Sequence, residues 1–149
     1  PEWEIGVRAE TLDLPYRKFT PEEEAGKIAG AQRYSSDENY AGFIGRLKEN
    51  IAAKRVKKAE LQVIRLGGLC FAGVPAEYFV EFQLMIKRKS PRLRALVVGG
   101  ANGMMGYVPT REAFSRGGYE TTLAGSSCMA PETGDIIADK IVEIINTMS

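Results

Sequence analysis

The chain has 149 residues, 44% of them hydrophobic and 26% charged, which suits one globular domain with a real core. Twenty basic against nineteen acidic residues leave a net charge of +1, so there is no electrostatic footprint for nucleic acid or an anionic membrane. Histidine is absent, which excludes a Ser–His relay and any imidazole metal ligand supplied by this chain.

In chain order, the first element is an extended strand over 3–14, "WEIGVRAETLDL", ended by Pro15 and with no obvious partner of its own. "TPEEEAGKIAGAQRYS" then predicts a helix, with Thr20 as cap, Pro21 in the first turn and Glu23 completing a capping box. Ser36 and Asp37 start a second helix, with Tyr40, Phe43, Ile44, Leu47 and Ile51 at helical spacing. From Ala59, "AELQVIRLGGLCFAGVP" reads as two strands joined at Gly67-Gly68, a hairpin. A helix follows, with Tyr78, Phe79, Phe82, Met85 and Ile86 on its apolar face, and Ser90-Pro91 breaks it. "RALVVGG" is an apolar run suited to a buried strand. A loop over 99–118, a short strand in "YETTLAG" and a helix from Asp135 to Met148 complete the chain. The order predicts an α/β fold, with α+β the alternative, built on a mixed sheet with flanking helices. Residues 1–149 make a single domain or the C-terminal part of a larger catalytic domain.

The basic runs, Lys54-Arg55-Val56-Lys57-Lys58 and Lys87-Arg88-Lys89, each close a predicted helix, where cations complement the helix dipole and stay solvated. Cys70 and Cys128 form no disulfide framework, and Cys70 sits in an apolar run as a small hydrophobe. No stretch approaches the roughly 18 apolar residues of a membrane span. The chain opens on Pro1 rather than methionine, which leads us to expect sequence upstream.

Three positions invite chemistry. Glu77, in "VPAEYF", lies where a strand gives way to a helix, the kind of place where α/β sites gather, although a first-turn glutamate also complements a helix dipole. Glu81 falls one turn on, as a solvated neighbour or a supporting residue. Tyr107 and Tyr119 stand among Gly103, Gly106, Gly117 and Gly118, as packed lids or as phenols offered to a ligand. Asn102 reads as a turn residue. "VVGGANG" lacks both the dinucleotide fingerprint and the P-loop ending.

Taken together, "LQVIRLGGLCFAGVPAEYF", "VVGGANGMMGYVPTREAF" and "GGYETT" resemble the neutral, non-lysosomal ceramidase family over about residues 57–125. That family has an apolar strand ending in a Pro–small–Glu turn, a second strand leading to an Asn-containing loop and a tyrosine, then a charged helix and a Tyr-Glu pair. The resemblance implies a zinc-dependent amidohydrolase in which a metal-bound water attacks an N-acyl amide such as ceramide. On it, Glu77 and Tyr107 correspond to metal ligands, with Tyr107 also a catalytic oxyanion partner, and Tyr119 to a catalytic, substrate-binding phenol. The family's histidine ligands and further arginine contacts lie upstream of the matched region and are not in this chain. Met104 and Met105 replace residues more polar in the family and, with Phe114, imply an apolar pocket wall. The implied partners are an N-acyl amide or lipid substrate and the missing N-terminal half of the catalytic domain, and the implied setting is secreted or periplasmic. On this reading the chain is inactive alone. The alternative is a non-catalytic, stand-alone relative acting as a binding or oligomerisation module, which predicts exposed apolar surface and a homo-oligomer.

Overall fold

The computed structural model describes residues 4–148. Trp3, with which the first predicted strand opens, lies outside the described residues. Four strands form the main sheet in the order β1–β2–β3–β5: β1 Ile5–Pro15, β2 Val56–Leu66, β3 Leu69–Val74 and β5 Arg94–Gly99. The first three are antiparallel neighbours, and β5 returns parallel to β3 after the helix α3, Val80–Lys89. This is the mixed sheet with flanking helices expected of the sequence.

Alternation along the strands explains how the sheet is covered. Leu61 and Val63 of β2, Cys70, Ala72 and Val74 of β3 and Ala95 of β5 point to one face and are buried. Two helices pack over it: α3, and α5 at Thr133–Thr147, whose Ile137, Ile141, Ile144 and Ile145 form a buried stripe. Phe82 of α3 meets α5 at Gly134, where a Cβ would come within 2.0 Å of the ring. Tyr78 stacks on Phe82 with centroids 4.7 Å apart and donates a 2.6 Å hydrogen bond to the Gly134 carbonyl. α2, Asp37–Ala52, buries Tyr40, Ile44 and Leu47 in the same core.

Several expectations are corrected. The first strand does have a partner, pairing with β2 along its whole length from Ile5↔Leu66 to Pro15↔Val56. The helix predicted over 20–35 is the single turn α1, Pro21–Glu24, although its capping box forms as expected. Gly26 and Gly30 leave the helix in left-handed conformations, and a Cβ at Gly30 would meet the Phe114 carbonyl oxygen at 2.1 Å. The run Lys54 to Lys58 does not cap a helix throughout: Val56, Lys57 and Lys58 belong to β2, and Lys58 pairs with Asp13 across the ladder at 2.9 Å. The run Lys87 to Lys89 does end α3. β5 is an edge strand rather than a buried one, with only Ala95 fully covered. "YETTLAG" forms a 3-10 turn, Tyr119–Thr121, because Thr121 and Thr122 spend their hydroxyls on backbone carbonyls of Gly118 and Gln32. The predicted loop over 99–118 holds β6, Tyr107–Val108, and α4, Arg111–Arg116.

Both cysteines are free and buried. Among the described residues, no helix is long and apolar enough to cross a membrane.

Candidate functional site

The site is assembled where the parallel strands β3 and β5 end. After Val74 the chain turns through Pro75 and Ala76, and Glu77–Tyr78 form the short strand β4. β4 pairs in parallel with β6, so Glu77 stands directly opposite Tyr107. The sequence reading of Glu77 as a first-turn helical residue therefore fails: α3 begins three residues later, at Val80, with Phe79 as its cap. No helix dipole accounts for Glu77. Backbone hydrogen bonds fix this geometry from several sides: Glu77 N–H donates to Gly106 O at 2.9 Å, Met105 N–H to Pro75 O at 2.7 Å, Gly100 N–H to Ala76 O at 3.0 Å and Tyr107 N–H to Ser126 O at 2.7 Å.

Gly106 is the position where that weave demands glycine. Its φ is +88°, and a Cβ there would come 2.3 Å from the Ser126 carbonyl oxygen. Asn102, at φ +62°, makes the turn between β5 and the site, as its residue type predicts.

Glu77, Tyr107, Phe79, Gly100, Met104 and Glu120 face a common open cleft of about 420 Å³. The Glu77 carboxylate pushes the Tyr107 phenol above its ordinary pKa, first by accepting its hydrogen bond, then with help from partial burial and from its negative charge. A phenol is neutral at neutral pH in any case, and the upward shift keeps Tyr107 a hydrogen-bond donor further into alkaline pH.

Tyr119 stands beside this pair rather than inside the cleft. Its ring meets the Tyr107 ring edge-on, at 5.8 Å and 82°, and meets Tyr34 on its other side at 5.6 Å and 65°. Tyr119 and Tyr34 also line a neighbouring pocket of about 280 Å³ with Asn39, Thr122 and Ser126. Three tyrosines so make a continuous aromatic row between two depressions.

The apolar wall expected from Met104, Met105 and Phe114 forms only in part. Met104 faces the cleft and is 57% exposed, whereas Met105 is buried in the core. Phe114 packs under the Arg17 guanidinium, 4.8 Å from it, away from the cleft. Glu81 is not beside Glu77 but in a separate groove with Arg88, Arg111 and Asp135.

Two residues were given no role in the sequence. Glu120 contributes a second carboxylate to the cleft, and the sequence showed it only as the second half of the Tyr-Glu pair. Arg17 is almost fully buried and donates to Thr121 O at 2.6 Å, Gly30 O at 2.7 Å and Glu23 Oε1 at 2.8 Å, tying the Tyr119 turn to the first third of the chain. Nothing in a lone arginine after a strand announces that role.

The cleft offers oxygen donors only. Among the described residues, no group of three or more His, Cys, Asp or Glu side chains is placed to hold a metal. A catalytic zinc takes three protein ligands and commonly imidazoles, so these residues do not by themselves fit the ion.

The fold is similar to that of a part of solved ceramidases. Two solved structures carry the likeness: neutral ceramidase from Pseudomonas aeruginosa, at 23% identity and a TM-score of 0.61, and a ceramidase complexed with C2, at 22% identity and a TM-score of 0.62. Each covers 97% of this chain, but the chain spans only 28% and 30% of their respective lengths. No family model matches the chain, and no curated protein matches it in sequence.

Proposed function

We propose that the chain is the C-terminal portion of a zinc-dependent amidohydrolase of the neutral ceramidase type, acting on an N-acyl amide and inactive alone. One observation carries the reading: Glu77 and Tyr107, far apart in sequence, stand side by side in a cleft at the carboxyl ends of two parallel strands. The likeness in fold to solved ceramidases supports it.

In this reading Glu77 provides a carboxylate toward the metal and Tyr107 stands next to it. The ion has too few ligands here, so the chemistry assigned to this chain is what its own groups do. The neutral Tyr107 phenol has one proton to donate, and it turns that proton from Glu77 to the negative charge that develops on the amide oxygen as a tetrahedral intermediate forms. The Tyr119 ring limits the swing of Tyr107 and offers its exposed hydroxyl to the substrate. Met104 and Phe79 give an acyl chain apolar surface beside the reacting carbonyl. The remaining metal ligands come from a second stretch of polypeptide.

The alternative, a non-catalytic module that oligomerises, draws on one observation, an apolar sheet face left open to solvent.

The test uses a short-chain ceramide as substrate, zinc, and the Pseudomonas aeruginosa enzyme with the segment matching this chain deleted. Neither polypeptide is expected to turn the substrate over alone, and the mixture is expected to do so. Glu77→Gln or Tyr107→Phe then lowers the rate of the mixture by at least about a hundredfold. EDTA-sensitive turnover by this chain alone refutes its incompleteness. A mixture whose rate ignores Glu77→Gln refutes the site.

A further inference from the structure

The end of the main sheet away from the cleft carries a separate depression of about 400 Å³, between the turn that joins α3 to β5 and the hairpin that joins β2 to β3. Gly68, Lys87, Ser90, Arg92, Arg94 and Leu96 are among its walls. Arg94 N–H donates to Gly68 O at 2.9 Å and so ties the turn to the hairpin. β5 runs from Arg94, at this depression, to Gly99, at the cleft. At about 3.3 Å per residue the two places lie about 16 Å apart.

Two observations distinguish this depression from ordinary solvated basic surface. The first is its charge. Lys87, Arg92 and Arg94 all line it, and no aspartate or glutamate does. Among the described residues none of the three has an ion-pair partner, whereas Lys89, on the same last turn of α3, pairs with Asp139 at 2.7 Å. The second is Ser90, which is 1% exposed and whose Oγ finds no hydrogen-bond partner among the described residues. Buried hydroxyls are normally satisfied, because leaving one unpaired forfeits its hydration without return. Nor is this hydroxyl needed to close the helix: Ser90 N–H already donates to Ile86 O at 3.0 Å.

We propose that the depression binds the phosphate group of a phosphomonoester. The proposal is independent of the Glu77–Tyr107 site. Guanidinium groups at Arg92 and Arg94 match the paired oxygens of a phosphate, Lys87 adds a compact positive charge, and the Ser90 hydroxyl donates to an oxygen that the cations leave free. Charge selects phosphate over carboxylate. A phosphomonoester carries about −1.5 to −2 at neutral pH, which three cations balance, whereas a carboxylate would leave two of them uncompensated. The carboxyl end of α3 opposes an anion with about half a negative charge, which is less than any one of these cations supplies. Leu96 and Pro91 offer apolar surface to the organic part of the ester.

Proton–nitrogen correlation spectra of the whole chain read the site, at an ionic strength held constant with sodium chloride. Inorganic phosphate and glycerol phosphate are each expected to give saturable shifts at Ser90, Arg92, Leu93 and Arg94, and none at Glu77 or Tyr107. The double variant Arg92→Gln/Arg94→Gln, at exposed positions, is expected to keep the melting temperature and to weaken binding at least about tenfold. Ser90→Ala is expected to weaken it about fivefold. Shifts that rise without saturation, or that sodium acetate reproduces, overturn the proposal and reduce the cluster to screened basic surface. A Ser90→Ala chain that binds phosphate as tightly as the parent also overturns it. Vesicles identify the source of the phosphate. Sedimentation with phosphatidylcholine vesicles only when they contain phosphatidic acid, reversed by glycerol phosphate, assigns a lipid headgroup. No sedimentation with either vesicle assigns a soluble ester, and saturable phosphate shifts uphold the site in both cases.

Discussion

Replacing Arg17 with methionine keeps a long aliphatic side chain in the buried site but removes the guanidinium, and with it the contact over the Phe114 ring and every polar contact. Two backbone carbonyls, Thr121 and Gly30, and the Glu23 carboxylate lose their donor. Breaking a buried ion pair by deleting one partner costs about 3–5 kcal/mol, because the other charge is left without compensation. Glu23 is about one-fifth exposed and can recover some hydration, which moves the expectation to the low end, about 3 kcal/mol. For a chain of this length each kcal/mol shifts the melting temperature by about 2–4 °C, so a drop of roughly 6–12 °C is expected. Urea titration and thermal melts followed by circular dichroism measure both quantities. Arg17→Lys, a point charge that cannot serve three acceptors spread around a planar fork, is expected to recover only part of the loss. The Tyr119 turn should loosen first, because its Thr121 carbonyl is what the guanidinium holds. A loss below about 1 kcal/mol for Arg17→Met would show that water replaces the guanidinium without penalty, and the clamp would then be incidental.

Two further predictions concern the site itself. Glu77→Gln weakens the hydrogen bond and removes the charge by which Glu77 raises the Tyr107 pKa, so Tyr107 should ionise at lower pH, nearer the ordinary phenol value of about 10, than in the parent chain. Near-UV absorbance titration, taken as the difference from the Tyr107→Phe variant, reads this, and an unmoved Tyr107 would mean that the two side chains do not meet in solution. Gly106→Ala combines a left-handed backbone with a Cβ 2.3 Å from the Ser126 oxygen, and should cost at least about 2 kcal/mol in urea unfolding while shifting the amide resonances of Glu77 and Tyr107. A neutral result there would show that the β4–β6 bridge tolerates a different path.

Periodicity made much of the architecture legible in advance. The isoleucine stripe of α5, the apolar spacing of α2 and the Gly67-Gly68 hairpin all appear where the residues predict them, because each depends on neighbours a few positions away. The capping box at Thr20 and Glu23 formed for the same reason, yet its helix stopped after one turn. What ended it was Gly26 in a left-handed conformation and the approach of Gly30 to Phe114, the latter a contact spanning most of the chain. β5 read as buried because its residues are apolar, but its place at the edge of the sheet is decided by pairing order. Met105 and Phe114, grouped with Met104 as a pocket wall, face inward for reasons that no spacing of two or ten residues encodes.

The sequence by itself determined the chemical inventory: no histidine, a glutamate after a strand, and two tyrosines among glycines. It also carried the resemblance to the ceramidases, which the structure shares at the level of the fold. Only the tertiary structure decided that Glu77 sits in a parallel bridge opposite Tyr107, that Glu120 shares their cleft, that Tyr119 stands on its rim, and that one apolar face remains open. The division has a physical cause. Helical stripes and turns are set by forces acting within a few residues, whereas a site is made by backbone hydrogen bonds such as Tyr107 to Ser126 and Glu77 to Gly106, whose partners are chosen by the packing of the whole chain.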